Sequence, residues 1–285
     1  MLTLGHLQRA GRWDPCVRVG RAEAWRSGRN RGGTFTSHLI QNGGDVQVDA
    51  WGDGAEAALE DAPALLGADD DVSSFRPAAG VVRDLHHRFP GLRIGRTGAV
   101  LESLVPTVFE QKVIGLEARN GYRRLVEALG ESAPGPRPMR VPPAGQVLRA
   151  TPYWAYHRFG LERRRADVVR EVGGRARWLE SCADLPPLEA QARLVLVPGV
   201  GPWSAAEVAM TALGDPDAVS VGDYHLPNLV AWALAGEARG SDEMMLELLQ
   251  PYAGHRGRVL RLLAAGGISA PRRGPRLQFR RLERH

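Results

Sequence analysis

The sequence predicts a mostly α-helical protein with an N-terminal α+β domain. Three observations lead there. Two short alternating runs flank a turn signal at Asn42, Gly43 and Gly44. From about residue 75 onward, apolar residues recur at helical spacing in segment after segment. Near residue 200, a glycine-rich turn at residues 197–201 separates two such segments, and Asp223 follows 22 residues after Gly201.

The elements follow in order. Residues 32–40 and 45–51 read as strands on either side of the turn signal. Residues 55–66 read as a helix that carries Pro63, and residues 69–74 as a linker. Helical spacing covers 79–88, 99–109 with Pro106 to accommodate, and 113–129 up to Gly130. Residues 132–143 are rich in proline and glycine and read as a loop. Residues 153–172 form a basic amphipathic helical region in which Gly160 is a candidate break. Helices at 188–197 and 202–213 flank the glycine turn. Three more follow at 226–234, 242–249 and 256–265.

Composition sets the class. A chain of 285 residues with 44% hydrophobic and 24% charged residues can bury an ordinary globular core. It has no apolar run of about 18 residues for a membrane span, and its first residues lack a signal-peptide core, so a cytoplasmic protein is expected. Cys16 and Cys182 are expected as buried, unpaired thiols, too few for a four-cysteine metal site; no metal ligands are assigned.

The net charge of +5 points toward nucleic acid, but its location matters. Between residues 271 and 285, Arg272, Arg273, Arg276, Arg280, Arg281 and Arg284 stand against Glu283, which equals the whole net charge. Residues 1–270 are therefore neutral, and a DNA surface there must be a local patch. The tail is read as either a disordered, solvated end or a source of non-specific phosphate attraction. Lys112 is the single lysine in the chain.

Gly199 and Gly201 are expected to allow positive φ and close approach of the backbone to a ligand. Pro202 suits a first helical position. Free N–H groups at such a turn favour a phosphate and position a duplex without reading its sequence.

Residues 196–206 and 214–223 together resemble the helix–hairpin–helix, Gly/Pro-rich, Asp motif of DNA glycosylases, specifically the alkylation-repair type, 3-methyladenine DNA glycosylase II. Residues 109–113 and 159–167 support the resemblance, which covers most of the chain. It implies an N-terminal α+β domain at 1–75 and a helical glycosylase region at 76–270 with an active-site cleft between two lobes. It implies double-stranded DNA with a damaged base as partner, a flipped nucleotide, and a monomer without a required cofactor; a monovalent cation at the hairpin carbonyls is the one ion it admits.

The resemblance assigns the catalytic carboxylate to Asp223, where it would stabilise positive charge developing on the sugar. An N-cap for the following helix is the other role this position fits. Asp215 and Asp217, separated by Pro216, are rivals that read as a turn. Relatives that also cut the strand carry a lysine where this chain has Trp203, so the resemblance implies hydrolysis by water alone. Trp203 either stacks on a flipped, cationic base or packs between helices. Glu207, one turn on, and Tyr224 are the other candidate substrate contacts. Candidate DNA contacts are Gln111, Lys112, Pro198, Gly199, Val200, Gly201 and Ser204. Lys112 has two readings, a wedge in the gap left by the base or a phosphate contact. A non-catalytic damage binder and an 8-oxoguanine glycosylase/lyase are the alternative functions.

Overall fold

The computed structural model describes residues 1–271. From Arg272 on, the basic tail lies outside the described residues.

Near the N-terminus four antiparallel strands form a meander in the order β1-β2-β3-β4. They are β1 (Val17–Val19), β2 (Glu23–Asn30), β3 (Gly33–Asn42) and β4 (Asp45–Trp51). The expected pair is β3 and β4, with Thr36 opposite Trp51 and Asn42 opposite Asp45 at the turn. The sequence reading missed β1 and β2. The middle of β2 is Arg26, Ser27, Gly28 and Arg29, which hides any apolar alternation. Burial of that polar run is offset by specific partners. Glu102 accepts from Arg26 Nη2 at 3.0 Å and from the Arg29 N–H at 2.7 Å, and Ser27 Oγ donates to the Arg140 carbonyl at 2.7 Å. A Cβ on Gly28 would lie 2.8 Å from Glu102 Oε1, so the carboxylate needs this glycine.

Helix α1 (Ala55–Leu65) packs on β3 and β4 and holds Pro63 in its last turn. After the irregular residues 66–80 come α2 (Val81–Arg88), α3 (Val100–Glu110) and α4 (Gly115–Leu129). The region read as a loop contains a two-residue ladder, β5 (Glu131–Ser132) with β6 (Arg140–Val141). Then follow α5 (Gly145–Ala150), a 3-10 turn at Tyr153–Phe159, α6 (Arg163–Gly174), α7 (Ala176–Glu180) and α8 (Pro187–Leu194). Gly160, at φ 85°, breaks the expected 153–172 helix between the 3-10 turn and α6. Helix α9 (Pro202–Val208) runs into a π-helical turn at Ala209–Leu213 that Gly214 ends at φ 70°. The chain continues with α10 (Leu226–Ala235), α11 (Asp242–Leu249) and α12 (Arg256–Ala265).

Two buried apolar clusters organise these helices. The first joins the sheet to α3, α4, α6, α8 and α9, through Leu39, Leu104, Leu125, Val169, Leu194 and Val208. The second is built from α2, α10, α11 and α12, through Leu85, Val230, Met245 and Leu263, with Phe75 from the preceding segment. The residues expected to be a linker are pinned to this second cluster. Asp70 forms a bidentate ion pair with Arg258, and both side chains are about 1% exposed. No helix among the described residues is long and apolar enough to cross a membrane. Cys16 and Cys182 are both free and buried.

Candidate active site

The glycine turn sits between α8 and α9 as expected, and its two glycines differ. Gly199 has φ 88°, and a Cβ there would meet Val168 Cγ2 at 2.2 Å. Gly201 is extended, at φ −103° and ψ 179°, which corrects the expectation of positive φ. A Cβ on Gly201 would meet nothing within 4 Å. Its glycine is therefore not needed by the fold, and it leaves the outer face of the turn open to close approach. The Val200 N–H is spent on the Val197 carbonyl, and its side chain is buried. The N–H groups of Gly199 and Gly201 meet no acceptor among the described residues. Two donors thus remain for a ligand, and Val200 is not one of them. Pro198 is exposed beside them.

Asp223 lies in the segment between the π-helical turn at Ala209–Leu213 and α10. Its Oδ1 accepts from the N–H groups of His225 and Leu226 at 2.7 and 2.9 Å, which closes the start of α10. Its Oδ2 accepts from Trp203 Nε1 at 3.0 Å. One carboxylate oxygen thus caps α10 while the other is held by the indole. Trp203 is half-buried and reaches the carboxylate from the first turn of α9, a contact that neither sequence reading of this residue contained. Tyr224 is 79% exposed, edge-on to His225 with ring centroids 5.0 Å apart. Asp215 and Asp217 are structural. Asp215 accepts from Gln191 and from the Asp217 N–H, and Asp217 holds Arg256.

Behind this pair is a charged cluster that the sequence reading missed. Arg9 contacts Glu110 directly, donates to Thr107 Oγ1 at 3.2 Å and stands 3.9 Å from Glu207. Glu207 also accepts from Ser220 Oγ at 2.6 Å, so both of its oxygens are engaged within the protein. Burial raises the pKa of Glu110 against the pull of Arg9, with Glu207 and Asp223 adding to the rise. Burial lowers the pKa of Arg261, on α12, to about 10, while Glu207 works the other way. The signal that could have found this cluster is Glu110, a charged residue ending the apolar helix inside residues 109–113.

Two of the expected DNA contacts are engaged with each other within the protein. The Gln111 side chain turns inward and donates through Nε2 to the Gly199 carbonyl at 3.0 Å and to Ser204 Oγ at 3.1 Å. Ser204 is 2% exposed, and its hydroxyl ties the α3–α4 turn to the hairpin. Lys112 is exposed at that turn with φ 56°. Of the aromatic run at 153–157, Tyr156 is core and donates to the Leu148 carbonyl, whereas Trp154 is 64% exposed. Arg165 binds Glu162 and the carbonyls of Phe109 and Gly160, an internal role.

Among the described residues no cluster of three or more His, Cys, Asp or Glu could hold a metal. The carbonyls of Gly199 and Val197 already accept hydrogen bonds from Gln111 and Val200. No step below runs through a cation at these carbonyls.

No family model matches the chain. Among curated proteins it is similar to the probable bifunctional transcriptional activator/DNA repair enzyme AlkA of Mycobacterium tuberculosis, 31% identical over 168 residues. That match takes in 57% of this chain and 34% of that protein, so the chain spans about a third of the length of the curated relative. Among solved structures it is similar to a 3-methyladenine DNA-glycosylase from Archaeoglobus fulgidus, with a TM-score of 0.75 at 19% identity over 92% of both chains. A Clostridium acetobutylicum 8-oxoguanine glycosylase/lyase in complex with dsDNA gives 0.64 at 13% identity, over 88% of this chain and 98% of that one. The Schizosaccharomyces pombe 3-methyladenine DNA glycosylase Mag1, in complex with abasic DNA, gives 0.54 at 15% identity, over 67% and 93%. With a hairpin between α8 and α9, an aspartate before α10, and these likenesses, the chain has the helix–hairpin–helix DNA glycosylase fold.

Proposed function

We propose that the chain is a monofunctional DNA glycosylase that hydrolyses the N-glycosidic bond of alkylated purines in duplex DNA. The observation that carries this reading is the arrangement of Asp223, with Oδ1 pinned by two backbone N–H groups and Oδ2 held by Trp203 beside the open hairpin.

A base inside the duplex stack is out of reach, so the nucleotide must be flipped toward Asp223. The N–H groups of Gly199 and Gly201 bind a backbone phosphate and the positive end of α9 adds to the attraction, which fixes the strand without reading sequence. As the bond to the purine lengthens, positive charge builds on the sugar. The Asp223 carboxylate stabilises that charge and orients the attacking water. Trp203 has no amine, so at its position no covalent intermediate forms and water completes the reaction. Purines alkylated at N3 or N7 are cationic and leave readily, and the exposed ring of Tyr224 and the half-buried indole of Trp203 are the aromatic groups nearest in sequence to the hairpin and Asp223 for such a base. Glu207, held by Ser220 and Arg9, gives the same region negative charge.

The test is base release from duplexes carrying 3-methyladenine, 7-methylguanine, hypoxanthine, ethenoadenine or 8-oxoguanine. The expected result is release of methylated purines, and a fall of roughly 100-fold or more for Asp223→Asn. Wild-type release by that variant would refute the mechanism. Salt-sensitive duplex binding with no release from any lesion would make the chain a damage binder, and release confined to 8-oxoguanine would place it with the second group of structural relatives.

A further inference from the structure

We propose that Glu207 sets the specificity of the site: its carboxylate favours flipped purines that carry a positive charge and opposes the release of damaged bases that are neutral. The proposal rests on the glycosylase reading above and adds to it a rule for which lesions are refused.

Glu207 stands one helical turn from the reacting pair. Trp203 and Glu207 are four residues apart on α9, so they share one face of that helix. Their partners lie together on the facing segment. Trp203 Nε1 donates to Asp223 Oδ2 at 3.0 Å, and Ser220 Oγ donates to Glu207 Oε1 at 2.6 Å. Ser220 and Asp223 belong to one turn, closed by the Asp223 N–H on the Ser220 carbonyl at 3.2 Å. The two contacts are therefore parallel rungs between the same two segments, roughly 5 Å apart along α9. A base brought against the indole and Asp223 has the Glu207 carboxylate at about that distance.

The second observation is that its charge is only partly answered. The Glu207 side chain is 25% exposed. Arg9 Nη1 stands 3.9 Å from Oε2, too far for a hydrogen bond, and Arg9 is in direct contact with Glu110. One guanidinium thus faces two carboxylates. Arg261, on α12, is the other cation that acts on Glu207. Glu207 and Asp223 both add to the burial-driven rise in the pKa of Glu110, so the three acidic groups lie within one another's field. Ser220 fixes Oε1, and Oε2 is left to accept from an N–H of a bound base.

The charge matters most as the bond breaks. The electron pair of the bond between C1′ and the base stays with the base, and the sugar is left positive until water adds to it and loses a proton to solvent. A purine alkylated at N3 or N7 starts with a positive charge and departs neutral. Glu207 attracts it while it is flipped and does not oppose its departure. Hypoxanthine and ethenoadenine are neutral and would depart as anions, and a carboxylate about 5 Å away raises the energy of that state. Ethenoadenine also has no N–H on the edge that carries its added ring, so it gives Oε2 nothing to accept. Asp223 remains the carboxylate that stabilises the sugar, and Glu207 acts on the base.

The test measures single-turnover release of 7-methylguanine, hypoxanthine and ethenoadenine from otherwise identical duplexes, each divided by its spontaneous loss. It compares the full chain with Glu207→Gln and Glu207→Asp. The ratio of cationic to neutral acceleration cancels any difference in folded fraction between variants, so a merely structural role for Glu207 would not move it. The expected result is a wild-type ratio of about ten or more, a fall of about tenfold in Glu207→Gln, and a ratio kept within about threefold by Glu207→Asp, which retains the charge. Glu207→Met, of similar length and uncharged, serves the same comparison should Glu207→Gln fail to fold. A wild-type chain that accelerates neutral and cationic bases alike, or an uncharged variant with the wild-type ratio, overturns the proposal and leaves the glycosylase reading standing. No release of any base overturns that reading and the proposal with it.

Discussion

Replacing Asp70 with asparagine removes one charge from the most buried ion pair among the described residues. Asp70 Oδ1 accepts from Arg258 Nη2 at 2.5 Å, and Oδ2 accepts from Nη1 at 2.8 Å and from the Ile94 N–H at 2.8 Å. Arg258 also donates through Nε to His255 Nδ1 at 3.2 Å. Asparagine keeps the shape and one acceptor oxygen, but its amide then faces a guanidinium N–H, donor to donor. The arginine is left charged, about 1% exposed and half-partnered. Breaking such a pair from one side costs about 3–5 kcal/mol, a third or more of the stability of many domains. With a urea m-value near 3 kcal/mol/M, the unfolding midpoint falls by roughly 1–1.7 M. Urea denaturation followed by tryptophan fluorescence measures it. The added change Arg258→Met removes the stranded cation and should restore more than half of the loss. A cost below about 1 kcal/mol for Asp70→Asn, or a double variant no more stable than the single one, would refute the claim that this pair pins residues 66–80 to α12.

Three further outcomes are expected. Trp203→Phe keeps a ring but loses the hydrogen bond to Asp223 Oδ2; a bond to a charged group contributes about 1.5–3 kcal/mol, so single-turnover base release should fall roughly 10- to 100-fold with duplex affinity little changed. Gly199→Ala meets both a positive φ and Val168 and should cost about 2–4 kcal/mol in urea, whereas Gly201→Ala should leave stability within about 0.5 kcal/mol and weaken duplex binding. Burial raises the pKa of Glu180, which caps the N–H groups of Val100 and Leu101, to about 7 from 4.5. The folded chain then holds a proton that the unfolded chain releases. Stability therefore declines as pH rises through about 7, and Glu180→Gln should flatten that part of the profile.

What could be read from the sequence was what repeats locally or sits at a fixed spacing. Helical periodicity located α2 to α4 and α9 to α12, and the turn at residues 197–201 with Asp223 downstream picked out two segments that the Trp203–Asp223 hydrogen bond joins. The failures share a physical cause, since each depends on a partner distant in the chain. Strand β2 is polar in its middle because Glu102, 76 residues after Arg26, buries against it. Asp70 looked like part of a linker because its partner is 188 residues away. Arg9 gave no local sign of reaching Glu110. Gly201 was expected at positive φ by analogy with Gly199, but it starts a helix from extended backbone, and there its value lies in the space outside the chain.

These pairings change what the basic character of the chain means. A pI near 9.7 suggests a cationic surface, yet several arginines are committed to internal carboxylates: Arg9 to Glu110, Arg26 to Glu102, Arg256 to Asp217 and Arg258 to Asp70. Each such pair stabilises the folded chain and cancels its own field, so neither partner is available to a phosphate. The attraction left at the hairpin comes from backbone N–H groups, which carry partial charges and act over a few ångströms. Under the proposed function, this arrangement separates holding DNA from reading it. The open face of Gly201 admits any phosphate that comes close, and selection falls to what can then be brought against Trp203 and Asp223. A base already weakened by alkylation needs little more than that carboxylate, which is why two free N–H groups, one indole and one aspartate suffice as the working parts.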